Sequence, residues 1–147
     1  MEVEAVREIT GEIAEAFARL VPQLSSSGRA PGAAELAEIV AVPSTVLLVA
    51  RVDGAIAGTA TLVTYRTPTG VRGRIEDVVV DAGARGRGVG EALTEGALAE
   101  AGQRGVRSVD LTSRPSREAA NRLYRRMGLV ARDSVVYRHT TSTGHNT

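Results

Sequence analysis

Apolar residues recur along this chain with two periods, and glycine and proline mark where one period gives way to the other. Weak alternation over Glu2 to Ile9 predicts a short first strand. Thr10 can then cap a helix whose apolar positions Ile13, Phe17, Leu20 and Leu24 recur at helical spacing. Ser25 to Gly32 reads as a loop, Ala33 to Val42 as a second short helix ended before Pro43, and Thr45 to Val52, rich in β-branched residues, as a strand. Asp53-Gly54 is a hairpin turn that returns the chain along a strand from Ala55 to Tyr65. Thr67 to Gly73, with Pro68 and Gly70, predicts a loop before a central strand at Ile75 to Val80. A helix is expected from Gly88 to Gln103, with Val89, Leu93 and Ala97 on one face and Gly102 or Gly105 near its end. Val106 to Thr112 is the next strand. Ser116 can cap a helix that turns Ala120, Leu123, Tyr124 and Met127 inward and ends at Gly128, and Val130 to Arg138 reads as a last strand or hairpin. Thr140 to Thr147 reads as a polar, disordered tail. No repeat or linker divides the chain, so residues 1–139 are expected to form one α/β domain.

The order strand, glycine-rich turn, helix occurs at Ile75-Glu76-Asp77-Val78-Val79-Val80, then Arg85-Gly86-Arg87-Gly88-Val89-Gly90, then the helix at Gly88. Exposed backbone N–H groups in such a turn, together with a helix N-terminus, favour an anion. Glycines let the main chain approach the ligand, and Arg85 and Arg87 add charge, so a pyrophosphate is the expected ligand. The spacing excludes two other phosphate loops. A dinucleotide fingerprint counted from Gly86 would need glycine where Glu91 stands, and a nucleoside triphosphate loop needs a lysine that the chain lacks.

The remaining pattern, Arg85, Gly88 and Gly90 as Arg-x-x-Gly-x-Gly, resembles the coenzyme A pyrophosphate loop of the GNAT acyltransferase superfamily. The resemblance continues through Asn121, Leu123-Tyr124 and Met127-Gly128-Leu129, where Leu123 and Leu129 replace phenylalanines usual in the family. It implies the family's α/β (α+β) fold, a mixed and mostly antiparallel sheet of roughly 6–7 strands flanked by about four helices. It also implies acetyl-CoA as co-substrate, a primary amine of a small molecule or peptide as acceptor, and direct attack in a ternary complex. Val78, Val79, Val80, Arg85, Gly86, Arg87, Gly88, Val89, Gly90, Asn121 and Tyr124 would then hold the coenzyme. Backbone N–H groups around Val78 would polarise the thioester carbonyl, and Tyr124 matches the general acid that protonates the leaving sulfur. A phenol of pKa ~10 can give its proton to a thiolate of pKa ~8.5 at modest cost. Glu76 is the expected base, with Asp77 a structural acid, because neighbours on a regular strand point to opposite faces; the reverse assignment stays open. Relatives that pair through C-terminal strands make a homodimer the expected assembly. A coenzyme A-binding sensor without catalysis would need the turn but neither Tyr124 nor Glu76.

Acceptor recognition is expected from the loops at Leu24 to Pro31 and Tyr65 to Gly73 and from the closing hairpin around Ser134 to Tyr137. Ile-Glu-Asp-Val-Val-Val resembles the corresponding strand of glucosamine-6-phosphate N-acetyltransferases, a match too short to carry the substrate. Arg114, Arg117, Arg122, Arg125 and Arg126 read chiefly as a solvated helix face.

Composition narrows the chemistry. The eighteen basic residues are all Arg, so Schiff-base catalysis has no lysine, and the absence of Cys excludes disulfides, thiolate nucleophiles and zinc-cysteine sites. The histidines, His139 and His145, lie near the C-terminus, and no metal is expected. A net charge of +1 and only four aromatic residues, Phe17, Tyr65, Tyr124 and Tyr137, argue against nucleic-acid binding. The longest apolar run, Val46 to Ala50, is far short of the ~20 residues that span a bilayer, and a cytoplasmic location is expected.

Overall fold

The computed structural model describes residues 1–25 and 29–141. The centre of the expected Ser25–Gly32 loop and the tail beyond Thr141 lie outside the described residues. The chain falls into two units, Met1–Leu111 and Thr112–Thr147.

In the first unit β1 (Glu2–Ala5) leads through α1 (Gly11–Leu24) and α2 (Ala33–Ala41) to β2 (Thr45–Val52), β3 (Ala55–Thr67) and β4 (Gly70–Val80). A 3-10 turn at Ala82–Ala84, α3 (Val89–Gln103) and β5 (Ser108–Asp110) follow. The five strands lie in chain order, antiparallel from β1 to β4, with β5 joined parallel to β4. The sheet is therefore mixed and mostly antiparallel, with five strands among the described residues against the six or seven expected.

Both faces of the sheet are covered, which the sequence of β2 requires. Val46, Leu48 and Ala50 pack in a cluster with Val89, Leu93 and Ala97 of α3. Leu47 and Val49 point the other way, to Ile13, Phe17 and Leu20 of α1 and Leu36 of α2. Each large side chain buried here, such as Leu20, Leu36, Leu62 or Leu93, stabilises the fold by about 1.5–3 kcal/mol. Thr10 caps α1 as expected, its Oγ1 accepting from the Ile13 N–H at 3.2 Å. Among the described residues no helix is long and apolar enough to cross a membrane.

The expected loop at Thr67 to Gly73 is instead a tight hairpin. Thr67 pairs with Gly70, and the Thr67 hydroxyl accepts from the Thr69 N–H at 3.3 Å, so Pro68-Thr69 suffice to turn the chain and β4 starts five residues before Ile75. Gly58 of β3 lets α3 sit close to the sheet: a Cβ there would lie 2.8 Å from the Val79 carbonyl oxygen and 2.9 Å from Val89 Cγ1.

The second unit contains α4 (Glu118–Arg126). Its N-cap is Arg117 rather than Ser116, because the chain first makes a turn in which the Arg117 N–H donates to the Arg114 carbonyl at 3.0 Å. Ala120, Leu123, Tyr124 and Met127 form its half-buried face, as their spacing predicts. Gly128 at φ +93° ends it, with the Leu129 N–H donating to the Tyr124 carbonyl at 3.0 Å. Residues 130–138 form no strand. Val130, Val135, Val136 and Tyr137 are exposed there, since β-branched composition makes a strand only where a neighbour supplies hydrogen bonds. The paired C-terminal strands on which the homodimer expectation rested are thus not formed within the chain.

Replacing Gly58 by Ala should destabilise the protein by about 1–3 kcal/mol, measured by urea denaturation, because the new methyl meets backbone on one side and the first turn of α3 on the other. Unchanged stability would show that α3 can lift from the sheet freely.

Candidate functional site

The centre of β4 is irregular. Thr59 pairs with Val79 and Thr61 with Glu76, so Ala60 alone faces the two residues Asp77 and Val78. This β-bulge takes both residues out of the ladder with β3. Asp77 sits at φ +52°, a left-handed conformation that costs a residue with a Cβ about 1–3 kcal/mol. On the other edge β5 reaches only Arg72 to Arg74, so from Ile75 onward β4 has no strand beside it there among the described residues. Main-chain groups at Asp77 and Val78 are therefore released from the sheet on both edges.

The bulge also changes where the two acids point. Glu76 and Asp77 line the same cavity of about 710 Å³, not opposite faces of the sheet. Its walls come from α2, β2 and β3, including Ile39, Val42, Leu47 and Val63. A neighbouring cavity of about 230 Å³ shares Leu47, Thr61 and Asp77 with it and continues towards Phe17 and Val21 of α1. Arg74 stands 3.4 Å from a Glu76 oxygen. Desolvation, reinforced by the charge of Glu76, raises the Asp77 pKa above its ordinary value.

Beyond Val80 the chain is held by α1. Arg19 donates to Asp81 Oδ2 at 2.6 Å and to the Ile56 carbonyl at 3.1 Å. One turn later Gln23 donates to Asp81 Oδ1 at 3.3 Å and accepts from the Ala82 N–H at 2.9 Å. Asp81 caps the 3-10 turn by accepting from the Gly83 N–H at 3.4 Å. Gly86 and Gly88 then take φ of +80° and +78°, and Gly88 caps α3. Among the described residues the backbone N–H groups of Gly86, Arg87, Gly88 and Val89 donate to no chain acceptor. A Cβ on Gly86 or Gly88 would meet nothing within 4 Å, so the turn faces open space. Arg85 is exposed beside it, while Arg87 stands 3.3 Å from Asp53 of the β2–β3 turn. Free N–H groups, a helix N-terminus and two cations fit a pyrophosphate. Among the described residues no group of three or more His, Cys, Asp or Glu is placed to hold a metal ion.

The expected residues thus divide. Glu76, Val78, Val79, Val80 and the run Arg85 to Gly90 follow one another along β4, the turn and α3. Val79 is buried in the α1 and α2 core, and Val89 in the α3 core. Asn121 and Tyr124 belong to the second unit, one turn apart on α4. The Asn121 amide donates to the Arg114 carbonyl at 3.0 Å and so steadies the turn before its own helix. Burial raises the Tyr124 pKa, opposed by the charge of Arg117, and the phenol keeps its proton at neutral pH. Glu35 and Glu38 also line the larger cavity; their spacing on one helix face is a signal that α2 carries more than packing. Nothing local in the sequence marks Arg19 or Gln23, whose partners lie 62 and 58 residues away.

Desolvation alone would raise the Asp81 pKa, but hydrogen bonds from Gln23 and Gly83 and the pairing with Arg19 lower it below its ordinary 3.8. That contribution is complete above the unfolded value and disappears as pH falls through the lower folded one. Arg19→Ala should therefore cost about 1–2 kcal/mol at neutral pH, and the gap to the parent protein should narrow as pH falls below ~4 to the part due to the Ile56 carbonyl bond. A gap independent of pH would leave packing, not the ion pair, as the role of Arg19.

Three solved structures share the fold. An aminoglycoside acetyltransferase from an uncultured soil metagenomic sample, in complex with sisomicin, is 18% identical, with 95% of each chain covered and a TM-score of 0.82. Glucosamine-6-phosphate N-acetyltransferase from Arabidopsis thaliana is 20% identical over 95% of this chain and 99% of its own, with a TM-score of 0.76. A transcriptional regulator from Bacillus halodurans C-125 is 25% identical over 94% of this chain and 99% of its own, also with a TM-score of 0.76. No curated protein sequence matches the chain significantly. Residues 12–129, from the start of α1 past the end of α4, match the family model for acetyltransferases of the GNAT type, and the chain belongs to the acetyltransferase (GNAT) family.

Proposed function

We propose that the protein transfers an acetyl group from acetyl-CoA to a primary amine, by direct attack of the amine on the thioester. The observation that carries this reading is the continuity of β4: a bulge that frees main chain at Asp77 and Val78 runs within a few residues into a turn whose N–H groups are uncommitted. A pyrophosphate held at Arg85 to Gly90 would direct the rest of the coenzyme back along β4. The freed N–H groups would then meet the thioester carbonyl and stabilise its developing oxyanion.

The reaction forms a C–N bond, breaks the C–S bond, and requires that the amine lose a proton and the thiolate gain one. For the first step the cavity offers Glu76 and Asp77. Glu76 is paired with Arg74 at 3.4 Å, whereas Asp77 makes no ion pair among the described residues and its pKa is raised by desolvation. For the second we assign Tyr124, on the family pattern and on its burial, which keeps the phenol protonated. The acceptors named for structural neighbours, an aminoglycoside and glucosamine 6-phosphate, are both amines on polar small molecules.

Acetyl-CoA and CoA should raise the melting temperature, while NAD and ATP at equal concentration should not, because only the former engage both turn and strand. Equal shifts from all four would remove the assignment. Tyr124→Phe should retain CoA binding and lower kcat by roughly 10- to 1,000-fold, which is about 1.4–4 kcal/mol of transition-state stabilisation. Full turnover in that variant would exclude the phenol as acid. Asp77→Asn and Glu76→Gln separate the base: the variant that lacks it loses kcat/KM near neutral pH and regains it as rising pH deprotonates the free amine. Loss at every pH in both variants would assign the acids to positioning.

A further inference from the structure

The larger cavity has a charge pattern that its walls do not explain. It is a concavity of a size usual for small-molecule sites, floored by apolar side chains such as Ile39, Val42, Leu47 and Val63, and no basic side chain lines it among the described residues. Four carboxylates do: Glu76 and Asp77 from the bulge of β4, Glu35 and Glu38 from one face of α2. Among the described residues, nearby cations offset only two of them. Arg74 stands 3.4 Å from Glu76, and Arg29, a lining residue of the smaller cavity, stands 3.6 Å from Glu35. Asp77 and Glu38 make no ion pair among the described residues, so one acid on each wall is left for a ligand.

Like charges gathered around an apolar cavity repel one another, a cost that a bound cation relieves. A single ammonium can meet one wall. Two ammonium groups joined by a methylene chain would meet both, with the chain lying on the apolar floor and the Thr45 and Thr61 hydroxyls left as neutral contacts.

We propose that the acceptor is a diamine or polyamine, with the reacting amine at Glu76 and Asp77 and a second, unreacting ammonium held by Glu35 and Glu38 of α2. This rests on the N-acetyltransferase reading for which amine reacts; the binding of a dication to the cavity does not. Specificity then lies in α2, and the reacting end is selected by the distance between the two walls. Glu35 and Glu38 are binding residues and take no part in proton transfer.

The test compares 1,6-diaminohexane with hexylamine, which share a chain and differ in the second cation. Calorimetry reads binding to the CoA-loaded protein, and release of free thiol from acetyl-CoA reads transfer. The diamine should bind roughly 10- to 100-fold tighter than the monoamine and show a kcat/KM higher by a similar factor. In a Glu35→Gln/Glu38→Gln double variant the diamine-to-monoamine ratio should fall towards one in both measurements. Both positions are exposed, and Glu35 also accepts from the Gly32 N–H at 3.2 Å at the start of α2, so a Glu35→Asp/Glu38→Asp variant, which keeps the charges, should restore most of the ratio while its melting temperature reads the loss of the cap separately. Equal binding of the two amines, or a ratio unmoved by the double Gln variant, overturns the proposal. Turnover of hexylamine with no diamine preference rejects the dication alone, whereas a protein that binds the diamine but shows neither CoA binding nor thiol release rejects the acyltransferase reading instead.

Discussion

One extra residue in β4 sets the terms for the candidate site. Ala60 opposes both Asp77 and Val78, and this mismatch forces Asp77 to φ +52°, interrupts the ladder with β3 and turns two consecutive acids into one cavity. The cost of about 1–3 kcal/mol is borne because the strand is tightly determined on both sides of the fault. Ile75 and Val79, which flank it, are buried in the cores on opposite faces of the sheet. Without the bulge β4 would keep its main chain in the ladder with β3, and only the edge that β5 does not reach would stay open.

The second determinant is how the chain leaves that strand. α1 uses its two sides differently: Phe17 and Val21 line the inner cavity, while Arg19 and Gln23 grip Asp81 and Ala82 at the start of the glycine-rich turn. A single helix is therefore in contact with the cavity and with the segment that leads to Gly86 and Gly88. On the opposite face, Gly58 admits Val89 and fixes where α3 begins. The turn between these two anchors needs its glycines for backbone angles as much as for space, since Gly86 and Gly88 both lie in the left-handed region. A larger residue at Gly88 would thus strain the backbone as well as obstruct a ligand.

What could be read from the chain follows from which forces are local. β2 was legible to the residue, Thr45 to Val52, because Pro43 bounds it on one side and Asp53-Gly54 on the other. The glycine-rich turn and α3 were legible because handed backbone angles leave a direct mark in composition. The bulge was not. Glu76-Asp77-Val78-Val79 has the pattern of a regular strand, and only the count of residues on β3 opposite it reveals the extra one. The cavity acids on α2 needed the fold to bring residues 35 and 38 beside residue 77. The segment 130–138 has the composition of a strand without the hydrogen-bonding neighbour that makes one, and Tyr124 and Asn121 were legible as a helix face from their spacing and as site residues only through the family resemblance.

In the function proposed above, the freed main chain of β4 and the uncommitted turn act together as one binding surface for a thioester coenzyme. Amide chemical shifts of a ¹⁵N-labelled protein, followed while CoA and then a non-hydrolysable acetyl-CoA analogue are added, test it at the atoms concerned. Large shifts are expected at Gly86, Arg87, Gly88 and Val89 with both ligands, and a further shift at Val78 that appears only when the acyl carbonyl is present. Shifts confined to other parts of the chain, with Gly86 to Val89 and Val78 unmoved at saturation, would contradict it.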